Sequence, residues 1–233
     1  MEKKIGIIGA MEVEVASLKS NMEVTDTSTR ASMIFCEGKL GNTNVVVVKC
    51  GVAKVNAGIC VQILSDIYHC THIINTGVAG SLDADINIGD FVISTDCCYH
   101  DVDATIFGYK KGEVPQLGQR FFNADEWLIG KAEEAAKVAA PDVSVFKGRV
   151  VSGDQFISAG EVKNEIKKEF NPMCTEMEGA AIAQASFLNG LPFVIIRAIS
   201  DKADGSAVVD YPTFEDKAAH DCAALVEHMI KNI

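Results

Sequence analysis

Short apolar runs alternate with longer stretches of helical spacing along the whole chain. Residues 4–8 form a compact apolar run that stops at Gly9, which predicts a buried strand entering a loop. Residues 11–20 have helical spacing. Residues 32–38 and 43–50 flank Gly41-Asn42 and predict a hairpin. Helices are expected over 53–70, 124–140, 160–170, 178–188 and 213–230, and strands over 72–76, 91–95, 144–151, 173–177 and 192–199. Strands alternating with helices imply an α/β sheet covered on both faces. No linker, repeat or low-complexity stretch interrupts the pattern, so residues 1–233 are expected to make a single domain.

Charge and cysteine placement narrow the picture. The formal net charge is −11, which argues against a phosphate-backbone binder and against an anionic membrane surface. No nucleic-acid or membrane partner is therefore expected. Eight cysteines are scattered, mostly inside apolar runs, without C-x-x-C spacing. They read as buried free thiols, not as disulfides or metal ligands, and suit a reducing compartment. The first residues lack the pattern of a signal peptide, and no stretch approaches a membrane span. A cytoplasmic location and no metal or cofactor are the expectations.

Candidate chemistry clusters just after the expected strands, where open α/β sheets hold their ligands. Gly6-Ile7-Ile8-Gly9-Ala10-Met11 lacks the spacing of a dinucleotide fingerprint, and neither a Walker loop nor a G-x-S-x-G elbow is present. Glu12 and Glu14 open the next helix, where acids also serve as solvated caps. Glu178 opens a helix of small residues, which should keep its carboxylate ionised and ready to accept sugar hydroxyls. Arg197 lies in a very apolar strand and needs carboxylate partners, with Glu14 or Glu178 as candidates. Asp201, at that strand's exit, could carry a raised pKa and act as a general acid, or simply cap the next helix. His100 stands beside Asp101 and Asp103, at a spacing that suits no common metal site, and reads as a hydrogen-bonding loop residue.

Taken in order, these residues resemble the 5′-methylthioadenosine/S-adenosylhomocysteine nucleosidases of the purine nucleoside phosphorylase superfamily. The resemblance runs through the segment from Ile5 to Glu14, Ile74 to Gly80, Tyr99-His100-Asp101, Phe107-Gly108-Tyr109, Val151 to Ile157, Glu176-Met177-Glu178 and Arg197 to Asp201. It implies a three-layer α/β/α sandwich around a central mixed β-sheet, usually in a homodimer. It implies hydrolysis of the N-glycosidic bond of 5′-thioadenosines, with 5′-deoxyadenosine included, and no cofactor. By motif, Glu14 is similar to the base that activates water, with Arg197 close by. Glu178 and Met177 fall at the ribose contacts, and Asp201, supported by Ser200, falls at the acid that protonates the purine at N7. Phe156 falls at the ring stacked on adenine and Ile157 at the backbone group that reads its edge. Val78, Ala79 and Gly80 fall in the glycine-rich segment lining the site. Met11, Val52 and Tyr211 fall in the 5′-alkylthio pocket, which Phe107 and Pro115 of a neighbouring subunit complete.

Two departures bear on substrate preference. Val78 stands where the family often has Ser, and Ala53 stands where the usual motif has Gly. The alternatives left open are a futalosine-type nucleoside hydrolase, a nucleoside phosphorylase of the same fold, and a non-catalytic nucleoside-binding protein. A phosphorylase is disfavoured because Glu14 would repel phosphate and the Val78 side chain offers no donor. A nicotinamide-dependent oxidoreductase is disfavoured by the broken fingerprint.

Overall fold

A computed structural model describes residues 3–233. The strands are β1 (Lys4–Gly9), β2 (Glu23–Arg30), β3 (Met33–Leu40), β4 (Thr43–Lys49), β5 (His72–Ser81), β6 (Phe91–Tyr99), β7 (Phe122–Asn123), β8 (Val145–Ser152), β9 (Cys174–Glu176) and β10 (Phe193–Asp201). The helices are α1 (Ala16–Asn21), α2 (Lys54–Asp66), α3 (Glu126–Ala139), α4 (Gly160–Phe170), α5 (Gly179–Asn189) and α6 (Ala207–Lys231). All strands join one mixed sheet. Helices α2 and α5 pack together, while α1 and α3 pack on α6, so the sheet lies between two helical groups. The expected mixed α/β architecture is thus present.

One feature of the topology goes beyond a sandwich. Strand β10 pairs with β5 in parallel and with β6 antiparallel, while β6, β8, β9 and β5 follow one another in register. Five strands therefore close into a ring, and β1, β4, β3 and β2 extend it from β5 as an open sheet. Most of β5, β6 and β10 is buried because both faces of these strands are covered. All nine residues of β10 are buried, including Arg197 and Asp201.

Several expected elements differ in extent. The segment expected as one helix over 11–20 is a 3-10 turn at Glu12–Glu14 followed, after Val15, by the short helix α1. The cause is Glu14, whose carboxylate turns back to accept the N–H groups of Ala10 and Met11 at 2.6 and 2.9 Å. Strand β2 was not expected: it is a polar, mostly exposed edge strand whose one-sided pairing to β3 needs no apolar face. Helix α6 begins at Ala207, six residues early, and runs through Pro212. The Thr213 hydroxyl donates to the Val209 carbonyl near that proline, at 2.8 Å. Among the described residues, no helix is long and apolar enough to cross a membrane, and all eight cysteines are free and buried.

Candidate active site

The strand ends converge by register. Asp201 pairs with Gly80, Gly80 with Thr175, and Ser152 with Glu176, so the exits of β10, β5, β9 and β8 lie side by side. The loop after β1 brings Ala10, Met11 and Glu14, the loop after β4 brings Val52, and the start of α6 brings Tyr211. Together these line a cleft of about 460 Å³ that opens to solvent. Val78, Ala79, Gly80, Phe156, Met177, Glu178, Ser200 and Asp201 face it. Ile157 lies in an adjoining recess of about 230 Å³ with Gln155 and Gly80. Phe107 and Pro115 lie on the surface outside this lining, Phe107 with 79% of its area exposed.

Glu12 and Glu14 have separate fates. Glu12 is a surface acid paired with Lys19 at 2.9 Å, whereas Glu14 is buried. Burial pushes the Glu14 carboxyl above the usual range, opposed by Arg197 and by the N–H groups of Met11, Val78 and Ala10. The Val78 N–H donates at 3.2 Å, so position 78 offers a backbone donor although its side chain offers none.

Arg197 does not take Glu14 or Glu178 as its principal partner. It ion-pairs with Glu176 and donates to the Asn75 side chain, while Glu178 is 3.9 Å away. Glu176 also accepts from the Ser152 hydroxyl and from the N–H groups of Glu178 and Gly179. A buried cation is tolerable only with such a saturated partner. Ser152 and Glu176 stand among the polar residues that follow the expected strands, but nothing in the sequence points to Asn75 or to Glu176, ahead of Glu178, as the partner of Arg197. Gly77, opposite Arg197 in β5, must lack a side chain, because a Cβ there would run into Arg197 Nη1 and Glu14 Oε1.

Glu178 corrects a second expectation. Its position at the start of α5 does not keep it firmly ionised: burial first, then the neighbouring Glu176 carboxylate, push it up to about 8, against Arg197 and the Ala53 N–H. The Ala53 N–H donates to Glu178 Oε1 at 2.7 Å. In the unfolded chain this carboxyl ionises near 4.5, so between about 4.5 and 8 the folded state binds more protons. Its contribution to stability is fully present below 4.5 and is lost as pH rises towards 8. Glu178→Gln should remove that slope. In thermal melts from pH 5 to 8.5, the wild type should lose roughly 2–4 °C per pH unit relative to the variant. Parallel curves would exclude Glu178 as the titrating group.

Asp201 meets its expectation of a raised pKa. Burial raises it, opposed by the Ala203 N–H at 2.7 Å and the Ser200 hydroxyl at 3.0 Å, while Asp210 and Asp204 add to the rise. Phe156 stands edge-to-face to Tyr211 with ring centroids 5.4 Å apart, and the Tyr211 hydroxyl reaches the Met11 thioether at 3.5 Å. His100 corrects a third expectation: its ring is buried against Gly153 and Nε2 has no hydrogen-bond partner. The bonding falls instead to Asp101, which accepts from Lys54 and from the Asp154 N–H. Among the described residues no group of His, Cys, Asp and Glu is arranged to hold a metal.

The family model of the phosphorylase superfamily matches residues 4–231. A curated 5′-methylthioadenosine/S-adenosylhomocysteine nucleosidase of Halalkalibacterium halodurans is 45% identical over 224 residues, covering 96% of each chain. The nucleosidase of that name from Neisseria meningitidis, solved in complex with methylthio-immucillin-A, superposes with a TM-score of 0.95 at 38% identity. The match covers 99% of this chain and all of the other. A futalosine hydrolase of Helicobacter pylori superposes with a TM-score of 0.93 at 29% identity, over 99% of this chain and 98% of the other. Near-complete coverage at these identities makes this chain a member of the phosphorylase superfamily and, within it, of the 5′-methylthioadenosine/S-adenosylhomocysteine nucleosidases.

Proposed function

We propose that this chain hydrolyses the N-glycosidic bond of 5′-methylthioadenosine and S-adenosylhomocysteine, releasing adenine and the corresponding thioribose. One observation carries the reading. A single cleft holds an acid with a raised pKa, Asp201, together with the buried carboxyls Glu14 and Glu178 and a largely apolar wall.

The residue types suit the chemistry. As the C–N bond breaks, its electron pair moves to the purine and positive charge builds on the sugar. Asp201 gives its proton to purine N7, so adenine leaves neutral. Water attacks the anomeric carbon and loses its proton to Glu14, whose raised pKa makes it a better base. Glu178 is placed to bond the ribose hydroxyls, and whichever of Glu14 and Glu178 is ionised favours the developing cation. Arg197 and Glu176 hold these groups without exposing charge to solvent. Phe156 offers a face for stacking on the purine, and the backbone of Ile157 reads its edge. Met11, Val52, Met177 and Tyr211 form a soft wall for the 5′-alkylthio group.

The test is to incubate the protein, without phosphate, with methylthioadenosine, S-adenosylhomocysteine, adenosine, inosine and a futalosine analogue. Free adenine and free thioribose are expected. Methylthioadenosine should exceed adenosine in kcat/KM by about tenfold to a hundredfold, because a 5′-hydroxyl would lose water against an apolar wall. A sugar 1-phosphate, or a strict need for phosphate, would sink the hydrolase reading. Cleavage of the futalosine analogue alone would move the chain to that activity.

The chain also acts, on this reading, as a homodimer in which Phe107 and Pro115 of the partner subunit complete the 5′ pocket. Exposed Ile106 and Phe107, on the 3-10 turn Thr105–Phe107, support this, since exposed aromatics are favoured interface anchors. Phe107→Ala should raise KM for methylthioadenosine severalfold while leaving inhibition by adenine unchanged. A fully active monomer in light scattering at micromolar concentration would refute it. Eight free, buried thiols support a cytoplasmic location.

A further inference from the structure

The Cys50–Lys54 connection has a backbone irregularity that touches the site. Ala53 has φ 81° and ψ 166°, a region that glycine alone occupies without strain. Its N–H is nevertheless committed to Glu178 Oε1 at 2.7 Å. The next residue is held firmly. The Lys54 N–H donates to Asp154 Oδ1 at 3.0 Å, and the ammonium donates to Asp101 Oδ2 at 2.6 Å and lies 3.5 Å from Asp154 Oδ2. Asp101 in turn accepts from the Asp154 N–H at 3.0 Å, so the three residues form one knot between the ends of β6 and β8 and the start of α2. On the other side of Ala53, the Asn56 side chain holds the Val52 carbonyl at 2.6 Å.

We propose that Lys54 is a positioning residue: through Asp101 and Asp154 it forces Ala53 to keep its strained backbone, and so keeps the Ala53 N–H on the Glu178 carboxylate. Cut the ammonium's bonds and only the Ala53 N–H on Glu178, the residue-54 N–H on Asp154 and the Asn56 amide on the Val52 carbonyl are left to oppose the return of Ala53 to negative φ. The N–H then turns away, and Glu178 loses both its orientation and the donor that favours its ionised form. A glycine at this position would need no tether. The strain and the lysine knot are therefore a coupled pair, and the effect of losing one depends on the other.

This coupling rests on the proposed role of Glu178 for its kinetic readout, but it has a second readout that needs no substrate. In the otherwise native chain, Lys54→Met is expected to lower kcat/KM for methylthioadenosine by about tenfold or more. In a chain already carrying Ala53→Gly, the same Lys54→Met change should cost less than about threefold. A lysine that merely braced the fold would show the opposite or no difference, because glycine only loosens the backbone. In parallel, amide hydrogen exchange at residue 53 reports the bond to Glu178 directly. Lys54→Met should speed that exchange by about tenfold, and adding Ala53→Gly should return it to within about threefold. Equal losses in both backgrounds, by either readout, would overturn the proposal. A wild-type chain that cleaves no methylthioadenosine would sink the proposed function instead, and the exchange measurements would still decide the coupling.

Discussion

Asp201→Asn is expected to leave the fold intact and to lower kcat on methylthioadenosine by at least about 10²–10⁴-fold, the usual worth of a general acid. The amide can keep the two hydrogen-bond positions now filled by the Ala203 N–H and the Ser200 hydroxyl, so local structure has no reason to change. It cannot deliver a proton to a departing purine. The acid is credible because burial lifts the carboxyl above its ordinary value, which favours its protonated form. Adenine should still bind, since stacking on Phe156 needs no proton transfer. Comparing kcat with the inhibition constant for adenine separates the two roles. A variant within tenfold of wild type would remove Asp201 from proton transfer.

Arg197→Met should produce the largest loss of stability. The guanidinium is buried among Glu14, Glu176 and Glu178, and it bonds to Glu176 and Asn75. Removing one member of a buried ionic group costs roughly 3–5 kcal/mol. For a chain of this size that corresponds to a fall of roughly 6–20 °C in melting temperature. The deficit should depend on pH. Arg197 holds the pKa values of Glu14 and Glu178 down, so without it both rise further above 4.5. Acids raised in the folded state destabilise it as pH climbs above their unfolded value. Below about pH 8 Glu178 holds its proton in both folded proteins, so the gap between variant and wild type should widen as pH rises through about 8, where wild-type Glu178 ionises and the variant's does not. A deficit below 3 °C, or one that does not change with pH, would show that Arg197 is not compensating those carboxylates.

The strands at the centre of the sheet were legible because doubly covered strands must be continuous apolar runs. β1, β10 and the leading residues of β5 and β6 stand out in that way, whereas β8, with Lys147 exposed and Arg149 half-buried, is buried only towards its exit. β2 was invisible for the converse reason: its backbone pairs with β3 while its side chains stay in water, so no periodic apolar signal arises. Glu14, Glu178 and Asp201 were found by residue type and position. The raised pKa of Asp201 was legible from its place at the exit of an apolar strand, but those of Glu14 and Glu178 were not, because a helix start argues for ionisation while burial depends on residues far away in the chain. Arg197 plainly needed an anion, yet the choice among three glutamates is made by the Ser152–Glu176 register, which spacing cannot convey. The strain at Ala53 was equally hidden, since alanine carries no sign of an unusual φ in one dimension.

The closed ring of strands has a consequence for how the chain acquires its cleft. Arg197 and Asn75, bonded between the paired strands β10 and β5, are 122 residues apart in the sequence. Pairings at such separations form late, because the entropy of closing a long loop is lost before the contact returns anything. Until β10 threads between β5 and β6, Glu14 and Glu178 lack their cation and Asp201 has no neighbour at Gly80. A ribosome emitting this polypeptide thus exposes a partial sheet bearing uncompensated acids for most of its synthesis. Competence arrives with the last two elements, in the same step that seals the core.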